Sequence, residues 1–123
     1  MRLAFLDTRT RKVCRTAVCA DALWGTVGRS AVLVCLDLLA EAATVGELRA
    51  FAVVTLAIIT FHGGLVIAVR HEQAEVLVTP IDVRGTLLPI SPGAAMTTLH
   101  AVQYLRVLRA SWSGRAAHEP GMA

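Results

Sequence analysis

The stretch that decides the fold is Ala50-Phe51-Ala52-Val53-Val54-Thr55-Leu56-Ala57-Ile58-Ile59-Thr60-Phe61-His62-Gly63-Gly64-Leu65-Val66-Ile67-Ala68-Val69. It holds no charged residue, and its length matches the about 20 residues that a helix needs to cross a bilayer. Arg49 and Arg70 flank it, as cations do at the ends of a span. Three features favour strands instead. His62-Gly63-Gly64 is a turn signal in an aqueous protein. Val53, Val54, Thr55, Ile58, Ile59 and Thr60 precede it, and Val66, Ile67 and Val69 follow, all β-branched. The polar His71-Glu72-Gln73 then leads at once into Glu75-Val76-Leu77-Val78-Thr79. Leu65–Arg70 and Glu75–Thr79 therefore read as a hairpin joined by about four residues.

Working outward, Arg2-Leu3-Ala4-Phe5-Leu6 reads as a first strand. Thr8 or Thr10 is placed to cap a helix from Arg9 to Trp24, whose Val13, Ala17, Ala20 and Trp24 recur at helical spacing. Gly25 and Gly28 bracket a break. The next helix, Ser30 to Ala43, is polar only along Ser30, Asp37, Glu41 and Thr44, so it buries most of its circumference. Thr44 with Glu47 three residues on is a capping box for a short turn. Residues 82–92 carry Gly85, Pro89 and Pro92 and read as a loop. A last β-rich run extends from Thr98 to Leu108. The tail from Ser111 has little to bury. The expectation is one α+β domain over residues 1–110, in the order β-α-α-β-β-β. Two N-terminal helices pack on a mainly antiparallel sheet, and residues 111–123 form a disordered tail.

Composition narrows the function classes. Apolar residues make up 55% and charged residues 17%, with a mean hydropathy of +0.61, which excludes a disordered chain. Residues 1–15 hold Asp7 and five basic residues, with no apolar core of signal-peptide length. Three cysteines cannot all pair, which argues against a secreted disulfide framework and for the cytoplasm. There is no Cys-x-x-Cys or paired-His spacing, no P-loop and no dinucleotide fingerprint, so neither metal nor cofactor is expected. Positive charge gathers at both ends: residues 1–30 net +4 and residues 84–123 net +3. All of it but Lys12 is arginine, which contacts phosphate bidentately.

Several segments bear a family resemblance. Met1-Arg2-Leu3-Ala4-Phe5 with Arg11-Lys12-Val13-Cys14 resembles the opening strand and helix of small toxins of the RelE/ParE superfamily, closest to its HigB-like, plasmid maintenance killer group. Leu36 to Leu48 resembles that group's second helix and following turn. Glu75-Val76-Leu77-Val78-Thr79-Pro80 is similar to its central strand, and Leu99, Val102, Tyr104-Leu105-Arg106 and Val107 fit its last strand. The similarity keeps its order over residues 1–110. Departures are Glu75 where the group places an arginine, Met96 where it carries a tryptophan, and Ala110-Ser111-Trp112 where it has an Asp-Tyr-His-like ending.

The resemblance implies the toxin of a type II toxin–antitoxin system, with a cognate antitoxin, the ribosome and mRNA as partners. Family ribonucleases cut mRNA on the ribosome without a metal, by attack of a 2′-hydroxyl on the adjacent phosphate. That chemistry needs a general base, a general acid and cations for the developing charge. The candidates are Arg70 and His71 at the hairpin turn, and His100, Tyr104 and Arg106 on the last strand. Arg9, Arg11, Lys12 and Arg15 are the candidate RNA contacts. The departures leave two outcomes, an active endoribonuclease or a degenerate copy. The alternatives are a membrane protein spanning residues 50–69 and a non-catalytic partner-binding domain.

Overall fold

Within residues 50–69 the chain forms the strand Thr55–Phe61 and enters the strand Gly64–His71, two antiparallel partners and not one helix, because Leu56 pairs with Val69 and Ile58 with Ile67. That corrects the membrane-span alternative for this segment. The computed structural model describes residues 1–61, 64–88 and 101–114. Its elements are β1 (Arg2–Phe5), α1 (Thr8–Arg15), α2 (Ala17–Glu41), α3 (Val45–Leu48), β2 (Thr55–Phe61), β3 (Gly64–His71), β4 (Ala74–Pro80) and β5 (Tyr104–Trp112). This is the expected α+β class and order, with four strands rather than three after the helices.

The first helix is capped by Asp7, not by Thr8 or Thr10; the Asp7 carboxylate accepts the Thr10 N–H at 2.7 Å. The expected helix from Arg9 to Trp24 is interrupted at Thr16, whose extended backbone ends α1 and opens α2. The break at Gly25 is where the sequence puts it: φ is +73°, a conformation that glycine adopts without steric cost. Beyond it, α2 buries Ala31, Val32, Cys35, Leu36 and Leu39 and leaves Ser30, Asp37 and Glu41 outside. The threonine half of the capping box forms as read, and the glutamate reaches one residue further back than the reciprocal pattern. Thr44 Oγ1 accepts from Glu47 N at 3.2 Å, and the Glu47 carboxylate accepts from Ala43 N at 3.3 Å.

The sheet has five strands in the order β1-β5-β4-β3-β2, antiparallel throughout except for β1 beside β5. The β3–β4 connection is tighter than expected: His71 pairs with Ala74, so only Glu72 and Gln73 make the turn, both at positive φ. Asp82 organises the next loop by accepting from Arg84 N and Thr86 N, and Ile81 bridges Leu87. The final strand begins at Tyr104, and Thr98 to His100 lie outside the described residues. It runs through Trp112, so the boundary at 110 gives way: the Trp112 indole packs on the core against Gly28 of α2.

Alternation assigns the faces. Leu3, Phe5, Leu56, Leu65, Ile67, Val69, Val76, Val78, Leu105 and Val107 meet α2 in one core. At about 25 cal/mol per Å² of apolar area, this burial is the main stabilising term. Among the described residues, α2 is the helix long and apolar enough to cross a bilayer, and its inner side belongs to that core.

Candidate functional site

The site is built on the sheet face turned away from the helices. Along β5, Leu105 and Val107 enter the core, so Tyr104 and Arg106 project to the far face. Because β1 runs parallel beside β5, Arg2 pairs with Tyr104 and Ala4 with Arg106, which brings Arg2 onto the same face. On the other side Arg106 pairs with Thr79. The Arg106 guanidinium is half-buried and donates to the Gly85 carbonyl at 2.5 Å, which fixes its stem against the 82–86 turn.

A β-bulge extends the row. Val78 pairs with Val107 but Leu77 pairs with Arg109, so Leu108 is an extra residue in β5. Strict alternation would put residue 109 opposite 106. The bulge instead restores Arg109 to the far face, opposite Leu77, and leaves it exposed. Arg109 also lines a cavity of about 290 Å³ with Arg9 and Thr10 of α1, so basic charge continues around the edge of β5.

The candidates read from the sequence separate into groups. Tyr104 and Arg106 come together. Arg70 is on the same face but in the row of Glu75 and Ser111, four residues along β4 from Thr79, or roughly 13 Å. Its Nε meets the Glu75 carboxylate at 2.7 Å, so its charge is offset. Both partners are substantially exposed, and such a pair contributes about 0–1 kcal/mol.

His71 does not join them. It follows Val69 in strand parity, on the helix face, and its Nδ1 donates to the Val53 carbonyl at 2.9 Å. The neighbouring Glu72 carboxylate is 3.7 Å from Nε2. His71 and Arg106, both candidates in the sequence, therefore occupy opposite faces of the sheet. His100 lies outside the described residues. On α1, Arg11 and Arg15 are four apart and line a cavity of about 540 Å³ along β1, while Lys12 is exposed.

Sequence reasoning missed Arg2 and Arg109. Arg2 becomes visible only when β1 is known to lie parallel beside β5, and Arg109 only when the bulge is known. The assembled arrangement is three arginines and a phenol on one sheet face, suited to phosphate backbone and to stacking. Burial pushes the Cys14 and Cys35 thiols up to about 11, which makes them poor nucleophiles. Among the described residues no three His, Cys, Asp or Glu side chains gather as a metal site would need. Set against known families, curated proteins and solved structures, the chain matches none of them.

Proposed function

We propose that this protein is the toxin of a type II toxin–antitoxin system that acts on RNA in the cytoplasm. The observation that supports this most is the row of Arg2, Arg106 and Arg109 beside Tyr104 on one sheet face. Arginines there attract phosphate electrostatically and release counterions on binding. The order of strands and helices agrees with the resemblance to RelE/ParE toxins. The cations for phosphoryl chemistry are assembled. With Glu75, Met96 and Ala110-Ser111-Trp112 where the resembling group carries other residues, we read the protein as a binder of RNA or the ribosome, a relative in which metal-independent cleavage is reduced or lost.

Induced expression with growth recording and mapping of mRNA 5′ ends tests this. Arrest without new ends is the expected result, and arrest with new ends marks an active endoribonuclease. Unaffected growth together with no salt-dependent binding of RNA overturns the toxin reading.

A second reading, a non-catalytic domain that works through a partner chain, is favoured by Val18, Leu23 and Val27. They stand 77%, 58% and 60% exposed on α2. Aggregation when expressed alone, relieved by the product of the adjacent reading frame, supports that reading; the same product is the antitoxin under the first.

A further inference from the structure

The break at Gly25 folds the first part of α2 back beside α1 and leaves a cavity of about 150 Å³ between α1 and the two parts of α2. Its walls include Val13, Ala20, Trp24, Val32 and Leu36, and two basic side chains line it: Arg15 at the end of α1, which is exposed, and Arg29, which enters from beyond the break and is half-buried. The Arg29 Nε is buried and makes no hydrogen bond. Asp21 Oδ1 is 2.9 Å from it across the break, close enough for an ion pair but out of line for a bond. Thr16 and Ala17 at the amino end of α2 also line the cavity, and Thr16 makes no side-chain cap there.

We infer that this cavity binds a small carboxylate with an apolar or aromatic body, the body among Trp24, Val32 and Leu36 and the carboxylate on Arg29. At about 150 Å³ the cavity has room for a benzene-sized body. A guanidinium at its mouth adds orientation and sign, because its planar fork matches a carboxylate. The buried Cys14 thiol on the wall stays protonated, so the ligand is held without covalent chemistry. Asp21 competes for the same guanidinium and sets the affinity.

The probe is benzoate, titrated into the full chain at neutral pH with amide, indole and Arg29 Nε–H resonances followed by NMR. Benzoate is expected to shift Ala20, Trp24, Arg29 and Val32 saturably at millimolar concentration. Benzyl alcohol, the neutral isostere, is expected to bind about tenfold more weakly. Arg29→Gln should abolish that preference, and Asp21→Asn should tighten benzoate while leaving benzyl alcohol unchanged. Equal binding of the two probes, no shift at these residues, or a preference that survives Arg29→Gln overturns the inference. Benzyl alcohol binding to Arg29→Gln shows that the variant is folded and the cavity intact, so an abolished preference reports on the charge. None of these readouts depends on RNA or on growth, so the proposed function stands or falls separately.

Discussion

The indole of Trp112 fills the space that a side chain at Gly28 would need. A β-carbon on residue 28 would sit 2.6 Å from the ring's Cε3 and 2.7 Å from Trp24 Cβ. Strand β5 and helix α2 are thus locked by a glycine that is there for proximity. Gly28→Ala improves helix propensity by about 1 kcal/mol but must displace an indole. Overpacking of this kind costs about 1–3 kcal/mol, so the expected outcome is a net loss of about 1 kcal/mol, read as a lower urea midpoint. Trp112→Phe in the same chain should recover part of it, and a double-mutant cycle measures the coupling. An unchanged or higher midpoint for Gly28→Ala contradicts the contact.

Glu72 and Gln73 form the β3–β4 turn at φ of +44° and +69°. Two left-handed central residues are what a type I′ hairpin turn requires, and Asn-Gly occupies it with least strain. Replacing Glu72-Gln73 by Asn-Gly is expected to stabilise by about 1 kcal/mol, since each left-handed non-glycine residue costs about that much. Ser113 donates to the Gln73 carbonyl at 2.9 Å through its backbone, so this bond survives the substitution. A thermal melt that fails to rise places the strain elsewhere.

Much of the fold is legible in the residues themselves. The uncharged stretch at 50–69 yields strands because its glycines and β-branched residues outweigh its hydropathy, and Thr44 with Glu47 gives a cap by spacing alone. Gly25 marks a break because no other residue takes its φ cheaply. The features that build the site are not local. The parallel pairing of Arg2 with Tyr104 joins residues about a hundred positions apart. The extra residue at Leu108 has no glycine or proline to announce it. His71 ends the strand before the hairpin turn, but nothing in its neighbours reveals that the Val53 carbonyl will accept its hydrogen bond. Trp112 sits in a stretch with tail-like composition, and only its contact with Gly28 makes it core.

The Asp7 cap carries a pH signature. The Thr10 N–H, then the Thr10 side chain, and the charge of Arg9 hold the Asp7 carboxyl below its ordinary value of 3.8. A carboxyl depressed in the folded state contributes stability above its unfolded pKa and loses that contribution as pH falls through the folded value. Asp7→Asn keeps a capping oxygen but cannot titrate. Its unfolding midpoint is expected to fall less steeply than that of the parent below pH 3.8, with similar values near neutrality. Parallel acid limbs for the two proteins would show that Asp7 is not linked.

The thiols divide by burial. Cys14 and Cys35 are buried and pushed up to about 11, while Cys19 is half-buried. At pH 8 a thiol of that pKa is only about 0.1% thiolate, and the thiolate is the reacting form. Iodoacetamide on the folded protein is expected to label Cys19 first, with Cys14 and Cys35 reacting only after urea is added. Equal labelling of Cys14 under native conditions would mean that α1 opens readily from the core.

Arg109 and His71 separate RNA binding from fold. Removing one cation from a phosphate lowers the salt slope of RNA binding by about 0.7–0.9, so Arg2→Ala and Arg109→Ala should each flatten it by that amount and weaken binding. Arg106→Ala should do the same and also release the Gly85 carbonyl, which softens the 82–86 turn. His71→Ala removes the donor to Val53 and is expected to cost about 0.5–1.5 kcal/mol of stability while leaving affinity and salt slope unchanged. Arg70→Ala should change little, because Glu75 already offsets that charge. If the far face acts on RNA, the arginine variants relieve growth arrest in the order of their weakened affinity, and His71→Ala at matched protein level does not. Relief by His71→Ala with its melting temperature intact would mean that the acting residues lie on the helix face.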